Sequence, residues 1–375
     1  MPRYGNGDPI PDSETAARLR RRLLKWYGKN RRDLPWRRSG DPYAIWLSEV
    51  MLQQTRVETV RPYYRRFLET FPTLLDLAAA DLETVLKMWE GLGYYARARN
   101  FHKAAGRVVD EHGGRVPDTW EAFRALPGVG DYIAAAVLSI AFNGPYAVVD
   151  GNVKRVLARL FRREEPVNRP AAHPVFRRMA DRLLHVDRPG DFNQALMELG
   201  ALVCTPRNPD CNRCPLSEDC RSVRDGVVDN YPRREQKAQT PQRRQAAAVV
   251  ERDGHILVTR RPPEGLLGGL WEFPTAVPVD GEGPEAALAR TLWERFGLQA
   301  AVAAKVGTVR HVYTHFRLEL IIYRCRYLGG EIAAGVDGNA ARWIEPGTAG
   351  ELPFHRAALK VFALLENWGD AANGG

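Results

Sequence analysis

Four of the chain's five cysteines, Cys204, Cys211, Cys214 and Cys220, fall within seventeen residues, spaced C-x6-C-x2-C-x5-C after the apolar stretch FNQALMELGALV. Four convergent thiolates are what a tetrahedral zinc ion or an iron-sulfur cluster requires, so the fold has to gather these loops around a metal centre. A zinc knuckle presents two C-x2-C pairs, each gripping the ion from one tight turn. Here only Cys211 and Cys214 form such a pair, and the outer two reach in across longer loops, which fits a larger cluster better. Two structural disulfides are the alternative, and those belong to oxidising compartments.

The start of the chain, MPRYGNGDPIPDSET, is polar and leads into no apolar segment of the signal-peptide kind. No apolar run approaches the roughly 20 residues of a membrane-spanning helix. A soluble, cytoplasmic protein without a membrane partner is expected.

The 375 residues allow two domains, each large enough to bury its own core. Charge is shared unevenly between them: residues 1–250 hold 41 Lys and Arg against 30 Asp and Glu, residues 251–375 hold 13 against 15. The first part therefore carries the whole basic excess, as a surface that follows a phosphate backbone does.

From Glu14 to Cys220 apolar residues recur three and four apart, in TAARLRRRLLKWY, TVLKMWEGL, YIAAAVLSIAF and VKRVLARLF, the period of helices. After Tyr231 the segment PRREQKAQTPQRRQ lacks apolar residues and reads as an exposed linker. Short β runs follow, AAAVVERDGHILVTRR with a turn at Asp253-Gly254 and then FRLELIIYRCRYL, interrupted by the helix PEAALARTLWERFGL ending at Gly297. The expected domains are 1–232, mainly α, a linker 233–244, and a smaller α+β domain over 245–368.

Three elements of the basic part carry chemistry. In LPGVGDYIAAAVLSIAF, Gly128 and Gly130 flank Val129 in a turn between helices, and bare N–H groups at the start of the next helix can receive a phosphate oxygen. In AVVDGNVKRVLARLF, Asp150 or Asn152 caps a basic helix, and a carboxylate there has its charged form favoured, ready to face a developing positive charge. In DPYAIWLSEVMLQQTRVETV, Glu49 sits mid-helix with Ile45, Trp46 and Leu52 among its neighbours three and four away. Burial there would raise its pKa towards neutrality, as a general acid needs. One protonated and one ionised carboxyl together suit the breaking of an N-glycosidic bond.

LPWR (Leu34–Arg37), SEVMLQQT (Ser48–Thr55), WEGLGYYARARN, LPGVGDY, VVDGNVKRVL and the cysteine segment together closely resemble adenine DNA glycosylases of the MutY type, in the helix-hairpin-helix glycosylase superfamily. The resemblance covers most of residues 14–230 and continues more weakly to about 365. It implies a six-helix barrel module with an iron-sulfur module, followed by a Nudix-like domain. It also implies a monofunctional enzyme of base excision repair, monomeric and nucleoid-associated, acting on double-stranded DNA with adenine opposite 8-oxoguanine or guanine. Cys204, Cys211, Cys214 and Cys220 would hold a [4Fe-4S] cluster. By motif match Glu49 is the acid that protonates adenine and later assists water, and Asp150 stabilises the sugar cation, positioned by Asn152 and Tyr132. Arg37, Gln54, Tyr94, Gly128, Val129 and Gly130 fall among the DNA-contacting positions, with Gln54 and Tyr94 filling and wedging the duplex once adenine is flipped out.

In related endonuclease III-type enzymes a lysine two residues after the G-V-G turn forms a Schiff base and cleaves the strand; here that residue is Tyr132, so base removal without efficient strand cleavage is expected. A hydrolytic Nudix box needs R-E-x-x-E-E, whereas this chain has Thr291 and Arg295 at two of the three acidic positions. The second domain is therefore expected to read 8-oxoguanine, with Tyr313, Thr314 and His315 where the family has Phe-Ser-His. Two rivals remain at this stage: a thymine or oxidised-pyrimidine glycosylase of the same superfamily, and a non-catalytic metal-stabilised DNA-binding module.

Overall fold

A computed structural model describes residues 11–236, 240–332 and 340–372. The helices are α1 (Ser13–Asn30), α2 (Pro42–Leu52), α3 (Val57–Thr70), α4 (Leu74–Ala79), α5 (Leu82–Trp89), α6 (Ala96–His112), α7 (Trp120–Arg124), α8 (Asp131–Ala141), α9 (Gly151–Leu160), α10 (His173–Leu183), α11 (Pro189–Leu202), α12 (Arg221–Arg224), α13 (Pro284–Phe296) and α14 (Arg356–Ala372). The strands are β1 (Gln242–Arg252), β2 (His255–Arg260), β3 (Trp271–Glu272), β4 (Thr275–Ala276), β5 (Gln299–Val312), β6 (Arg317–Gly329) and β7 (Ala341–Ile344). By contacts the chain divides into two compact units, one of Met1–Leu75 with Lys103–Lys237, the other of Asp76–His102 with Ala238–Gly375.

The first unit is helical. α1 is amphipathic: Ala16, Leu19, Leu23 and Tyr27, spaced three and four apart, are buried, and the arginines between them face outward. They join α9, α10 and α11 in one core around Val156, Phe176 and Leu196. α2 has no solvated face. Asp41 caps it by accepting from the amides of Tyr43 and Ala44, Pro42 opens its first turn, and every residue from Tyr43 to Met51 is buried. α8 is buried in the same way from Ile133 to Ser139. Among the described residues no helix is long and apolar enough to cross a membrane.

The second unit is built on a mixed seven-stranded sheet ordered β3-β2-β1-β6-β5, with β4 on β1 and β7 on β2. β1 and β6 run parallel from Gln242↔Arg317 to Glu251↔Arg326, and the Asp253-Gly254 turn, both residues left-handed, joins β1 to β2 as the D-G signal predicts. The apolar run of β1 follows from burial on both faces: Ala247 and Val249 enter one core with Trp271 and Phe354, Ala246, Ala248 and Val250 the other with Leu288 and Leu292 of α13. Gly297 ends α13 in the left-handed conformation, and Cys325 is a fully buried core thiol. Residues 76–102 belong to this unit: Trp271 Nε1 donates to Glu83, the Phe354 amide to Glu90, and Arg99 to the carbonyls of Gly265 and Gly268.

β1 begins inside the stretch read as linker. The preceding residues are tied to the first unit, where the Val167 amide donates to the Arg233 carbonyl and Asn168 exchanges hydrogen bonds with the backbone of Glu235.

Candidate active site

Because α2 is buried all round, Glu49 lies in the core with 5% of its surface exposed. Burial is the main cause that raises its pKa from 4.5 to about 7; the Tyr132 hydroxyl, donating to Oε2 across 2.6 Å, pulls the other way, and the negative charge of Asp150 raises it further. Oε1 takes no hydrogen bond from the described residues.

Asp150 caps α9. Its Oδ1 accepts from the Val153 amide at 2.6 Å and its Oδ2 from Asn152 Nδ2 at 3.1 Å. The expectation that the helix terminus would favour its charge needs correction: burial outweighs these donors and the nearby Arg155, and the pKa is raised. Glu49 and Asp150 therefore form a coupled pair, in which ionising one makes it harder to ionise the other.

Both carboxyls line one cavity of about 170 Å³, together with Arg37, Tyr132, Asn152 and Glu198. The sequence reading missed Glu198 and Arg32. The Glu198 side chain is 1% exposed and is clamped by two guanidiniums, Arg32 at 2.7 Å and Arg37 at 2.9 Å. Burial presses its pKa upward, yet the hydrogen bonds of Arg37 and Arg32 hold it down at about 2. Arg37 is thus a wall of the cavity, engaged by Glu198 and the Arg32 carbonyl. The signal that singled out Glu49, an acid within an apolar helix, is equally present at Glu198 in FNQALMELGALV.

A chain of hydrogen bonds runs from Asp150 to the cysteine loop. Asn152 accepts at Oδ1 from Arg155 Nη2 at 2.7 Å; Arg155 also donates to the Gly200 carbonyl at 2.8 Å and, through Nε, to the Cys204 carbonyl at 2.7 Å. α9 and α11 can approach this closely only because residue 200 is glycine: a Cβ there would lie 2.6 Å from Asn152 Cβ and 3.2 Å from its Cα.

All four cysteines are free thiols, gathered between α11 and α12. Among the described residues no group of three or more His, Cys, Asp or Glu is drawn together as the ligands of a single ion are; around one zinc the sulfurs would stand only about 3.8 Å apart. Even so, Cys204, Cys211 and Cys220 all contribute to the burial-led rise of the Cys214 thiol to about 12. Arg159 Nη1 lies 3.4 Å from the Cys204 sulfur and donates to the Thr205 carbonyl at 2.6 Å. Four soft donors that interact with one another beside a buried cation fit an anionic iron-sulfur cluster.

The hairpin turn is opened by Gly128, left-handed at φ 76°, while Gly130 is extended and caps α8 without needing to be glycine; Val129 is buried between them. Gln54 follows α2 in the left-handed conformation and is exposed. In the second unit Tyr313, Thr314 and His315 form the tip of the β5–β6 hairpin, closed by the Tyr313 amide donating to the Phe316 carbonyl. Tyr313 turns inward, its ring against Phe316 and His311, leaving Thr314 and His315 exposed. Thr314 Oγ1 lies 2.8 Å from the Tyr94 hydroxyl. The remaining acid of the degenerate Nudix box, Glu294, pairs with Arg290 at 3.2 Å.

Three family models match: HhH-GPD superfamily base excision DNA repair protein over residues 47–180, iron-sulfur binding domain of endonuclease III over 204–220, and NUDIX domain over 245–364. A solved thermostable thymine-DNA glycosylase superposes with a TM-score of 0.52 at 32% identity, covering 57% of this chain and 100% of its own. The adenine DNA glycosylase of Rattus norvegicus is 38% identical over 405 residues, covering 93% of this chain and 78% of its own; that of Homo sapiens is 37% identical over 406 residues, covering 92% and 73%. At that identity and coverage across helical core, cysteine segment and Nudix-like sheet, the chain belongs to the adenine DNA glycosylase family.

Proposed function

We propose that this protein hydrolyses the N-glycosidic bond of adenine mispaired with 8-oxoguanine or guanine in duplex DNA, leaving an abasic site. The observation that carries the reading is the opening of Glu49 and Asp150 onto one cavity, with Tyr132 where a Schiff-base enzyme would need lysine.

Near neutrality Glu49 is partly protonated, and with Oε2 occupied by Tyr132 the oxygen left to carry the proton to an extruded base is Oε1. Transfer of that proton to a ring nitrogen lets the C1′–N bond electrons leave with the purine. Asp150, tethered by Val153 and Asn152, balances the positive charge left on the sugar. The Glu49 carboxylate then takes a proton from the water that adds to C1′, which restores the acid. Arg32 and Arg37, held by Glu198, line the same wall, along which a purine edge would lie. A bound cluster would fix the loops of Cys204, Cys211, Cys214 and Cys220; four thiolate ligands leave it no open position for substrate. Thr314 and His315, exposed at the hairpin tip, would contact the oxidised guanine on this reading.

Duplexes with A:8-oxoG, A:G, T:G or thymine glycol test the reading directly. Release of adenine alone, abolished in Asp150→Asn and without strand nicking at matching rates, is expected. Release of thymine or thymine glycol in preference would favour the pyrimidine reading, and turnover unchanged in both Asp150→Asn and Glu49→Gln would favour a binding module.

A further inference from the structure

The segment between α5 and α6 is tightly curled. Gly91, Gly93 and Tyr94 are all left-handed, with φ of 98°, 73° and 49°. Glycine takes this conformation freely, whereas tyrosine takes it against a steric penalty, so something outside the residue has to hold it. The curl brings the carbonyls of Leu92, Gly93 and Tyr94 within reach of one side chain. Arg97, in the first turn of α6, reaches back with Nη2 at 3.0 Å from the Gly93 carbonyl and 3.4 Å from that of Leu92, and with Nε at 3.4 Å from that of Tyr94. Its guanidinium also lies 5.4 Å from the ring centroids of both Trp89 and Tyr94, and Trp89 Nε1 shares the Gly93 carbonyl at 3.2 Å. Tyr94 itself is 40% exposed.

We propose that Arg97 is a positioning residue: its guanidinium clamps the loop 92–94 so that the Tyr94 ring is presented, already in its strained backbone conformation, for insertion into the duplex. The inference rests on the reading of Tyr94 as the wedge. A planar fork of five donors can serve three carbonyls while lying against two rings, and an ammonium group cannot reproduce that geometry. Arg97→Lys is therefore not conservative here.

The test is a double-mutant cycle on single-turnover adenine release from A:8-oxoG duplex, using the full-length holoprotein, with melting temperature and cluster absorbance measured alongside. Arg97→Lys, and independently Arg97→Gln, should slow release on the order of 10- to 100-fold, as small misplacements of positioning groups do. In a Tyr94→Ala background the same substitutions should change the rate less than about twofold, because the residue they act through is gone. Wild-type rates in both Arg97 variants, or an equal penalty with and without Tyr94, would overturn the proposal. Tyr94→Ala releasing adenine as fast as wild type would instead sink the wedge reading, and slow Arg97 variants beside it would show that Arg97 does not act through Tyr94.

Discussion

The Tyr132 hydroxyl donates to Glu49 Oε2 across 2.6 Å and opposes the burial that lifts this carboxyl to about 7. A donor to the charged form lowers a pKa, so removing it has a defined sign. Tyr132→Phe should move the alkaline limb of base release upward by about one pH unit, the scale of a hydrogen bond to a charged group. The ratio of single-turnover rates at pH 8 and pH 6 measures this. A limb that stays in place or moves down would show that Tyr132 does not govern the acid.

Stability should report the same carboxyl. Its folded pKa of about 7 lies above its ordinary value of 4.5, so between these pH values the native state binds the extra proton. Stability contributed by the protonated side chain is full below about 4.5 and is lost as pH rises to 7, a change of order 3 kcal/mol. Glu49→Gln, neutral throughout, should lack this loss and unfold at higher denaturant than wild type at pH 8, though it should not release adenine. Equal pH dependence in the two proteins would contradict the burial argument.

Glu49 and Asp150 were singled out on local grounds: one is an acid inside an apolar helix, the other an acid capping a basic one. Asp150's direction of shift was not legible, since the sequence shows the cap but not the burial that outweighs it. Glu198 carries the same local signal as Glu49, but its role as an ionised clamp depends on Arg32 and Arg37, more than 160 residues away in sequence. The grouping of residues 76–102 with the C-terminal sheet was equally hidden, because it rests on long-range pairs such as Glu83 with Trp271 rather than on periodicity. In the second unit β1, β2 and β6 and the signals at Asp253-Gly254 and Gly297 were readable from local chemistry, whereas β3, β4, β5 and β7 were not read.

Glu198 has the opposite sign from Glu49. Its pKa of about 2 lies below the ordinary 4.5, so its stabilisation is present above about 4.5 and is lost as pH falls towards 2. Glu198→Gln should be less stable at pH 7 by of order 3 kcal/mol and should show a flatter acid limb in denaturant titrations. An unchanged midpoint at pH 7 would mean that the two guanidiniums find water as good a partner.

The cysteine loop makes a spectroscopic prediction. The purified protein should be yellow-brown, with iron and labile sulfide in equal amounts, and Cys214→Ala should lose both together with affinity for mispaired duplex. A colourless protein with stoichiometric zinc would reverse the assignment.

The contact between Gly200 and Asn152 links helix packing to the chemistry. A methyl group on residue 200 would meet the backbone of Asn152, not merely a flexible side-chain end, so α9 or α11 has to shift. Asn152 holds Asp150 Oδ2, and Arg155 holds both Asn152 and the carbonyl of residue 200, so the shift falls on the carboxylate proposed to face the sugar. Gly200→Ala should therefore cut the single-turnover rate on the order of 10- to 100-fold, the usual result when a positioned group moves by a fraction of an ångström or more. Duplex affinity should change far less, because the proposed duplex contacts, the hairpin amides and the loop of Gln54, do not pass through this contact. If affinity and rate fall together, or neither falls, the glycine is only a packing residue and Asp150 is positioned by some other means.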